Sequence, residues 1–281
     1  MKKISTVAIL APGAMGSGLA RRLTSSGIEV LTSLEGRSEA TCKRASAAGM
    51  RDASDDDIAA ADVILSVVPP TQAVALARRL AVSLGKAGRK AIYADCNAVS
   101  VETVKEIEAV IRGSGAAFVD GGIIGLPPSD TRSPTLYLSG PSAGALGGLG
   151  ELGLKVQVMG EQVGAASALK MSYAGISKGM TFLASAMILG AARAGATEGL
   201  RKALQASRPH LLERLEGAIP DMFPKAHRWA PEMEQVAEFL GDGQPGQALF
   251  LELAKIGASL AEDFNGDKVL VRALEDFVKP R

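Results

Sequence analysis

The sequence of 281 residues has few aromatic residues, few cysteines, few histidines and almost no net charge. Aromatic side chains make up 4% of the chain, too few for a surface that stacks single-stranded nucleic acid. A formal net charge of +1 gives no bulk attraction to nucleic acid or to a membrane surface. The two cysteines, Cys42 and Cys96, and the two histidines lack the spacing of metal ligands, so no metal site is predicted.

The small number of cysteines and the lack of a long apolar run bear on where in the cell the protein is found. A chain with two cysteines fits a reducing compartment, and we expect a cytoplasmic protein. The most apolar stretch, residues 179–192, is shorter than the roughly 20 residues that a membrane span requires, so no membrane association is predicted. Hydrophobic residues nevertheless make up 47% of the chain, which is ample for a folded core.

Residues 6–23 carry the most informative pattern. An apolar run at 7–10 predicts a buried strand, a glycine turn follows, and apolar residues at 19, 20 and 23 predict one face of a helix. A strand, a glycine turn and a helix amino terminus together form a phosphate cradle with free N–H groups. We therefore predict a dinucleotide pyrophosphate site, although Ala11 stands where the fingerprint expects its first glycine. The predicted contact residues are Gly13, Ala14, Met15 and Gly16.

Apolar runs and helical patterns alternate through the first half of the chain. Strands are predicted at residues 7–10, 28–33, 63–68, 91–95, 116–120, 135–139 and 155–158. Helices are predicted between them at 38–48, 71–84 and 101–111. This alternation predicts a parallel sheet that is covered by helices on both faces.

Beyond Gly160 the sequence predicts helices alone. A long helix of small residues at 162–192 precedes shorter helices at 200–206, 209–217, 231–240, 247–262 and 267–278. We therefore predict an α/β fold in which residues 1–160 form an N-terminal Rossmann domain, a doubly wound parallel sheet that binds NAD(P). Residues 161–281 are predicted to form an all-α domain for substrate binding and dimerisation, joined to the first by the long interdomain helix.

The end of the second predicted strand bears on the choice of cofactor. An acidic residue there, such as Glu35, favours the ribose hydroxyl of NAD. Arg37 and Ser38, with hydroxyls at positions 32 and 33 nearby, suit a 2′-phosphate better, because a guanidinium binds phosphate through two hydrogen bonds. We predict NADP as the cofactor, with NAD less favoured. The alternative is that Arg37 is a solvated loop residue.

Three motifs resemble those of the 3-hydroxyacid dehydrogenase and 6-phosphogluconate dehydrogenase superfamily. The first is Gly13-Ala-Met-Gly16, the second is Asp120-Gly-Gly-Ile-Ile-Gly125, and the third spans residues 164–179 around Lys170. The resemblance covers residues 5–190 and implies a homodimeric oxidoreductase with a small-molecule substrate. Beyond it, the C-terminal part resembles a subgroup of uncharacterised NADP-dependent oxidoreductases with a shorter helical domain.

The resemblance also implies roles for individual residues. Lys170 corresponds to the catalytic lysine of the family. The segments that line the nicotinamide ribose in the family contain Val68, Pro69 and Asn97 here. The substrate-binding motif of the family contains Gly122, Ile123 and Ile124 here.

The chain departs from the family at the substrate anchors. Ile124 replaces a serine that holds a carboxylate, and Tyr173 and Ala174 replace two asparagines. Ser177 replaces the glutamate acid of the phosphogluconate branch. A more apolar carbonyl, alcohol or imine would therefore suit the site better. Tyr173 stands one helical turn from Lys170, where it would either donate to substrate or pack in the core.

Chemistry supports a role for Lys170 independently of the resemblance. Hydride delivery to a carbonyl leaves an alkoxide that needs a proton, and an ammonium group at hydrogen-bond distance supplies it. We predict an NADP-dependent oxidoreductase that acts on a small alcohol or carbonyl, with Lys170 as general acid and base. The alternative for Lys170 is a lysine that extends from a buried helix to water. The alternatives for the protein are an imine reductase and a non-catalytic NADP-binding sensor or scaffold.

Overall fold

The computed structural model describes residues 4–88, 90–129 and 131–279. Its contacts divide the chain into two compact units, Met1–Met171 and Ser172–Arg281. The division falls inside a helix, after the change in composition near residue 160. The binding roles predicted for the regions 1–160 and 161–281 stay predictions.

The first unit contains an eight-stranded sheet. Its strands are β1 (Thr6–Leu10), β2 (Glu29–Thr32), β3 (Met50–Asp52), β4 (Val63–Ser66), β5 (Ile92–Asp95), β6 (Ala117–Ile124), β7 (Thr135–Ser139) and β8 (Lys155–Gly160). The strands lie in the order β3-β2-β1-β4-β5-β6-β7-β8. The first six have the doubly wound order, whose direction reverses between β1 and β4, and ligands bind outside the carboxyl ends at such a reversal.

Helices cover both faces of this sheet. They are α1 (Ala14–Ser25), α2 (Glu39–Ala47), α3 (Asp55–Ala59), α4 (Ala73–Lys86) and α5 (Val101–Gly113). One core packs α1 and α2 against one face, and a second core packs α3, α4 and α5 against the other. The α/β fold class predicted from the alternating pattern is confirmed.

The strand predictions need four corrections. The sheet is not wholly parallel, because β7 pairs antiparallel with β6 across a connection too short to hold a crossover helix. Strand β6 continues past Asp120 to Ile124, since this pairing with β7 extends it. Strand β4 ends at Ser66, so residues 67 and 68 lie in the following loop, and the three-residue strand β3 was not predicted.

The second unit is helical. The chain enters it through α6 (Ala165–Ala174), a π-helical turn at Gly175–Gly179 and α7 (Met180–Arg193). The remaining helices are α8 (Thr197–Ser207), α9 (Pro209–Met222), α10 (Ala226–Leu240), α11 (Pro245–Asn265) and α12 (Val269–Val278). The long interdomain helix and the all-α region predicted from the sequence are confirmed.

The long helix also bears on the question of membranes. By length and composition Ala165–Arg193 reaches the size of a membrane span, so the prediction from residues 179–192 underestimated its length. Within its most apolar window, 44% of the residues are buried inside the protein. The core helix of a soluble protein passes the same test, so this helix is weak evidence for a membrane.

Candidate functional site

The amino terminus of α1 has no side-chain cap. Ser38, Ser54 and Ser100 cap α2, α3 and α5 with their hydroxyls, whereas α1 begins after Gly13 and α4 follows Gln72, and neither residue caps its helix. The first amide groups of α1 are therefore left without a capping side chain, as an anion site requires.

Two glycines of this turn have different surroundings. A Cβ at Gly16 would lie 2.2 Å from the Ala11 carbonyl oxygen, so a glycine is needed for α1 to pack on β1. A Cβ at Gly13 would meet no atom within 4 Å, and Ala14 beside it is exposed. The residues present thus fit a pyrophosphate group, since the turn leaves open space at Gly13 and packs closely against the strand at Gly16.

The loop after β2 presents a basic group next to a helix amino terminus. Gly36 adopts φ +67°, which turns the chain into exposed Arg37, and Ser38 caps α2. Within the described residues the Arg37 guanidinium makes no hydrogen bond or ion pair. The Thr32 hydroxyl donates to the Ile9 carbonyl at 2.8 Å inside the core, so its proton is not directed at a ligand.

Arg44 on α2 is a residue that the sequence reasoning missed. Its Nη1 atom donates to the carbonyl of Pro12 at 3.2 Å, which brings an exposed guanidinium to the glycine turn. The signal in the sequence was weak, because a basic residue on an exposed helix face is usually solvated. Two guanidinium groups are therefore available near the predicted cofactor site: Arg37 in the loop after β2, and Arg44 on α2 at the glycine turn.

A buried polar network joins the carboxyl ends of β4 and β5. Asn97 Oδ1 accepts from the Val68 amide at 2.7 Å, and its Nδ2 donates to Ser66 Oγ at 2.8 Å and to Asp95 Oδ1. Burial, reinforced by the charge of Asp120, raises the pKa of Asp95 to about 8. The side-chain amide of Asn97 thus forms its hydrogen bonds within the protein, and it fixes the loop that carries Val68 and exposed Pro69.

The carboxylate of Asp120, inside β6, binds the start of α6. Its Oδ2 atom accepts from Ser139 Oγ at 2.8 Å and from the amides of Gly164, Ala166 and Ser167 at 3.0, 3.0 and 3.1 Å. Its Oδ1 atom accepts from Ser167 Oγ at 2.6 Å. Sequence reasoning placed Asp120 in a substrate motif and did not identify this contact.

Lys170 lies on α6 against the same strand. Its partly buried Nζ atom donates to the Ile123 carbonyl at 2.8 Å. A Cβ at Gly122 would lie 2.7 Å from the Ala166 carbonyl oxygen and 3.2 Å from Lys170 Cβ. Gly122 therefore lets α6 lie directly on β6. The structure brings Lys170 together with Gly122 and Ile123, while Ile124 is the partly buried end of the strand.

The second unit contains Tyr173 and an ion pair that the sequence did not predict. The Tyr173 side chain is 51% exposed, so it does not pack in the core. Lys178, in the π-helical turn, pairs with buried Glu232 and lies 5.3 Å from the centre of the Trp229 ring. His227 borders an apolar groove of about 640 Å³ between α10 and α11. In residues 4–88, 90–129 and 131–279, no three His, Cys, Asp or Glu side chains form a cluster that could hold a metal.

Comparison with known proteins supports the same two-part organisation. Residues 6–146 match the family described as the NAD binding domain of 6-phosphogluconate dehydrogenase, and residues 191–260 match a domain of unknown function, DUF1932. A curated protein of Methanothermus fervidus, described as an uncharacterised 28.5 kDa protein, is 35% identical over 146 residues. That match spans 51% of this chain and 54% of the relative, about half of its length.

Solved structures extend the similarity over nearly the whole chain. A conserved protein of unknown function, described as structurally similar to 3-hydroxyacid dehydrogenases, is 31% identical, covers 92% of this chain and 98% of its own, and has a TM-score of 0.68. The 3-hydroxyisobutyrate dehydrogenase of Mycobacterium tuberculosis shares the fold at 18% identity, covers 97% and 99% of the two chains, and has a TM-score of 0.71.

Imine reductase from Myxococcus stipitatus also shares the fold. A variant in complex with NAD+ has a TM-score of 0.59 at 18% identity and covers 97% and 100% of the two chains. The enzyme in complex with NADP+ has a TM-score of 0.55 at 18% identity and covers 96% and 99%. The glycine turn, the doubly wound sheet and the helical second unit agree with these matches, and the chain belongs to the 6-phosphogluconate dehydrogenase-like family of NAD(P)-binding proteins, with DUF1932 as its C-terminal domain.

Proposed function

We propose that this protein is an NADP-dependent oxidoreductase in which Lys170 is the general acid and base for hydride transfer to and from a small carbonyl or alcohol. The observation that carries the proposal is the ammonium group of Lys170, held 2.8 Å from the Ile123 carbonyl on a strand of a dinucleotide-binding sheet. Dehydrogenases and reductases share the fold, which supports oxidoreductase activity.

The proposed cofactor contacts divide into two groups. Gly13, Ala14, Met15 and Gly16 would hold the pyrophosphate through the uncapped amino terminus of α1. Arg37 and Ser38 would hold the 2′-phosphate, and Arg44 adds a second guanidinium to the neighbourhood of the glycine turn. Val68 and Pro69 would border the nicotinamide ribose, and Asn97 would fix their loop.

NADPH is therefore expected to bind more tightly than NADH. The extra phosphate meets at least one guanidinium, so a ratio of at least about tenfold, or about 1.4 kcal/mol, is expected. Fluorescence titration of both reduced cofactors measures this ratio directly. Equal or reversed affinities would contradict the choice of NADP while leaving the NAD(P) fold unaffected.

In the proposed reaction, the side chains of this protein transfer the proton. The bound nicotinamide would supply or accept the hydride. In reduction, Lys170 donates a proton from Nζ to the oxygen of the substrate carbonyl, and in oxidation its amine accepts that proton. Such a positioned group contributes roughly 10²- to 10⁴-fold to the rate. The Ile123 carbonyl accepts a hydrogen bond from Nζ and so orients the ammonium group.

The proposed substrate is small and largely apolar at the reacting end. Ile123 accepts from Lys170 through its carbonyl and Ile124 ends the same strand, while the residues that hold a substrate carboxylate in the hydroxyacid branch are replaced in this chain. Tyr173, one helical turn after Lys170, would donate to the substrate through its phenol group. We also propose the binding roles predicted for residues 1–160 and 161–281, and a homodimer. The cytoplasmic location stays a prediction.

The decisive experiment uses a panel of aldehydes, ketones and cyclic imines, with NADPH absorbance as the readout. For a compound that is turned over, Lys170→Ala should lower kcat by about 10²-fold or more while NADPH affinity stays unchanged. Lys170→Arg should not restore turnover, because a guanidinium stays protonated.

Lys90→Ala is a matched control for this experiment. The Lys90 ammonium also donates to a backbone carbonyl, that of Ser114 at 2.9 Å, but it precedes β5 at the amino end of the strands. Wild-type turnover of Lys170→Ala would show that the lysine is structural. Turnover of imines alone would favour an imine reductase, and tight NADPH binding without any turnover would favour the sensor.

A further inference from the structure

Asp120 is a buried charge whose partners lie away from its own strand. Four donors contact its Oδ2 atom and a fifth contacts Oδ1, and the side chain has no exposed surface. Four of the five donors belong to residues 164, 166 and 167 at the start of α6. A carboxylate at this place satisfies amide groups that a helix leaves without partners, and it lies at the positive end of the helix dipole.

The helix that Asp120 caps is the one that carries Lys170. Ser167 contacts both carboxylate oxygens, and Lys170 follows it by three residues, roughly one helical turn. The Ile123 carbonyl accepts from Lys170 Nζ on the same strand, three residues after Asp120. Strand β6 and helix α6 are therefore joined at two points, and the second point is the proposed catalytic ammonium group.

Close packing between these two points makes the joint stiff. Gly122 lies between Asp120 and Ile123, and a Cβ there would overlap the Ala166 carbonyl oxygen. Gly121 approaches Cys96 as closely, since its Cβ would lie 2.8 Å from Cys96 Sγ. The motif that resembles a substrate-binding segment thus seats a helix on the strand in this chain.

We infer that Asp120 is a positioning residue for Lys170: its carboxylate, bound to the first turn of α6 and to Ser139, sets where the Lys170 ammonium group stands relative to the Ile123 carbonyl. The inference rests on the proposed function of Lys170. A displacement of about 1 Å at a reacting group can cost about 10²-fold in rate, so a shift of the helix start is expected to reach the chemistry.

The test is Asp120→Asn, which keeps the shape of the side chain but removes the charge and presents an amide to the donors. We expect kcat to fall by at least about tenfold, while NADPH affinity stays at the wild-type value, because the cofactor cradle lies on α1 and α2. A capping role without influence on Lys170 would lower thermal stability and leave kcat unchanged, and that result would overturn the inference.

Asp62→Asn is the matched control. Asp62 Oδ2 also accepts two backbone amides and a hydroxyl, those of Ser5 and Thr6, but at the amino end of β1. We expect this variant to lose thermal stability and to keep its kcat. An equal loss of kcat in both variants would show a general effect of instability and would overturn the inference.

Two further measurements keep the inference testable if Asp120→Asn does not fold or if no substrate is found. Ser167→Ala removes the hydroxyl that donates to Oδ1, and it should lower kcat about threefold or more without changing NADPH affinity. Hydrogen exchange of residues 164–171 should be faster in Ser167→Ala than in wild type, and this readout needs no substrate. Wild-type exchange would overturn the inference, whereas wild-type turnover of Lys170→Ala would overturn the proposed function alone.

Discussion

The two units of the chain differ in what they bury and in what they expose. In the part of the chain that the structure describes, the first unit buries many polar residues, among them Asp95, Asn97 and Asp120, while the second buries Thr181, Ser185 and Glu232. Buried polar groups require partners in a fixed geometry. The first unit is therefore specified by hydrogen-bond networks at the carboxyl ends of its strands.

Exposed apolar side chains show the reverse distribution. Those of the first unit are Val82, Leu126, Val158 and Met159, which lie on helix α4, in the loop after β6 and on strand β8. Those of the second unit are Tyr173, Ile176, Met180, Leu183, Met187, Leu240, Leu249, Leu251 and Val269. Five of them, from Tyr173 to Met187, recur at intervals of three and four along one helix, which forms a stripe. In the proposed homodimer, we expect this stripe of the second unit to be covered by the other copy of the chain.

The largest expected effect comes from Gly16→Ala in the first unit. The added methyl group would overlap the Ala11 carbonyl oxygen at 2.2 Å, so the backbone must move. We expect a loss of about 1–3 kcal/mol or more in the free energy of unfolding, and NADPH affinity lowered by at least about 100-fold. Urea denaturation and fluorescence titration measure the two quantities.

Gly13→Ala sharpens this result, because the added methyl group meets no protein atom within 4 Å. Its free energy of unfolding should stay within about 0.5 kcal/mol of wild type. NADPH affinity should nevertheless fall by about tenfold, since the methyl group would occupy space in the proposed pyrophosphate site. Wild-type affinity in this variant would show that the ligand binds elsewhere.

Leu183→Glu tests the stripe on the second unit. The wild-type chain of 28.9 kDa should have the mass of a homodimer in light scattering at micromolar concentration. A carboxylate within the stripe should raise the dissociation constant by at least about 100-fold, because burial of an unpaired charge is costly. Val82→Glu, on the exposed face of α4, should leave the mass unchanged. If the wild-type protein has the mass of a monomer, both the homodimer and the proposed role of the stripe as its interface are contradicted.

Asp95→Asn tests the network of the first unit by pH. Folded Asp95 keeps its proton up to a pKa of about 8, whereas the unfolded chain releases it near 3.8, so unfolding releases a proton between these values. The free energy of unfolding therefore falls as pH rises, by up to about 1.4 kcal/mol per pH unit from this group. The variant should lack this contribution, and its advantage over wild type should grow from pH 5 to pH 7. If urea denaturation gives the same pH dependence of the free energy of unfolding for wild type and variant, the raised pKa of Asp95 is contradicted.

The smallest expected effects concern the two guanidinium groups. Arg37→Ala should lower NADPH affinity by about tenfold with little effect on NADH, and Arg44→Ala by about threefold. Arg51→Ala is the control, since Arg51 pairs with Glu29 on the neighbouring strand. An equal loss for NADH in either variant would assign the arginine to the common part of the cofactor.

Local patterns in the sequence were sufficient for the elements and for the turn at Gly13 and Gly16. Apolar periodicity reports which residues face a core, and a glycine turn before a helix is a contiguous feature, so both can be recognised along the chain. The strand at residues 135–139 was predicted, but its antiparallel direction was not, because a strand's direction depends on how its connection returns. The contact between Arg44 and Pro12 also escaped prediction, since it joins helix α2 to the glycine turn across 32 positions of the chain.

The sequence by itself determined the fold class, the family and the position of Lys170 on the long helix. Only the tertiary structure decided what holds that lysine. Asp120 and Ser167 are 47 positions apart, and so are Ile123 and Lys170, yet each pair forms a hydrogen bond of less than 3 Å. Periodicity and motif spacing describe neighbours along a chain. The partner of a buried carboxylate or an ammonium group depends on which strands and helices pack together, and that choice is made by the whole fold.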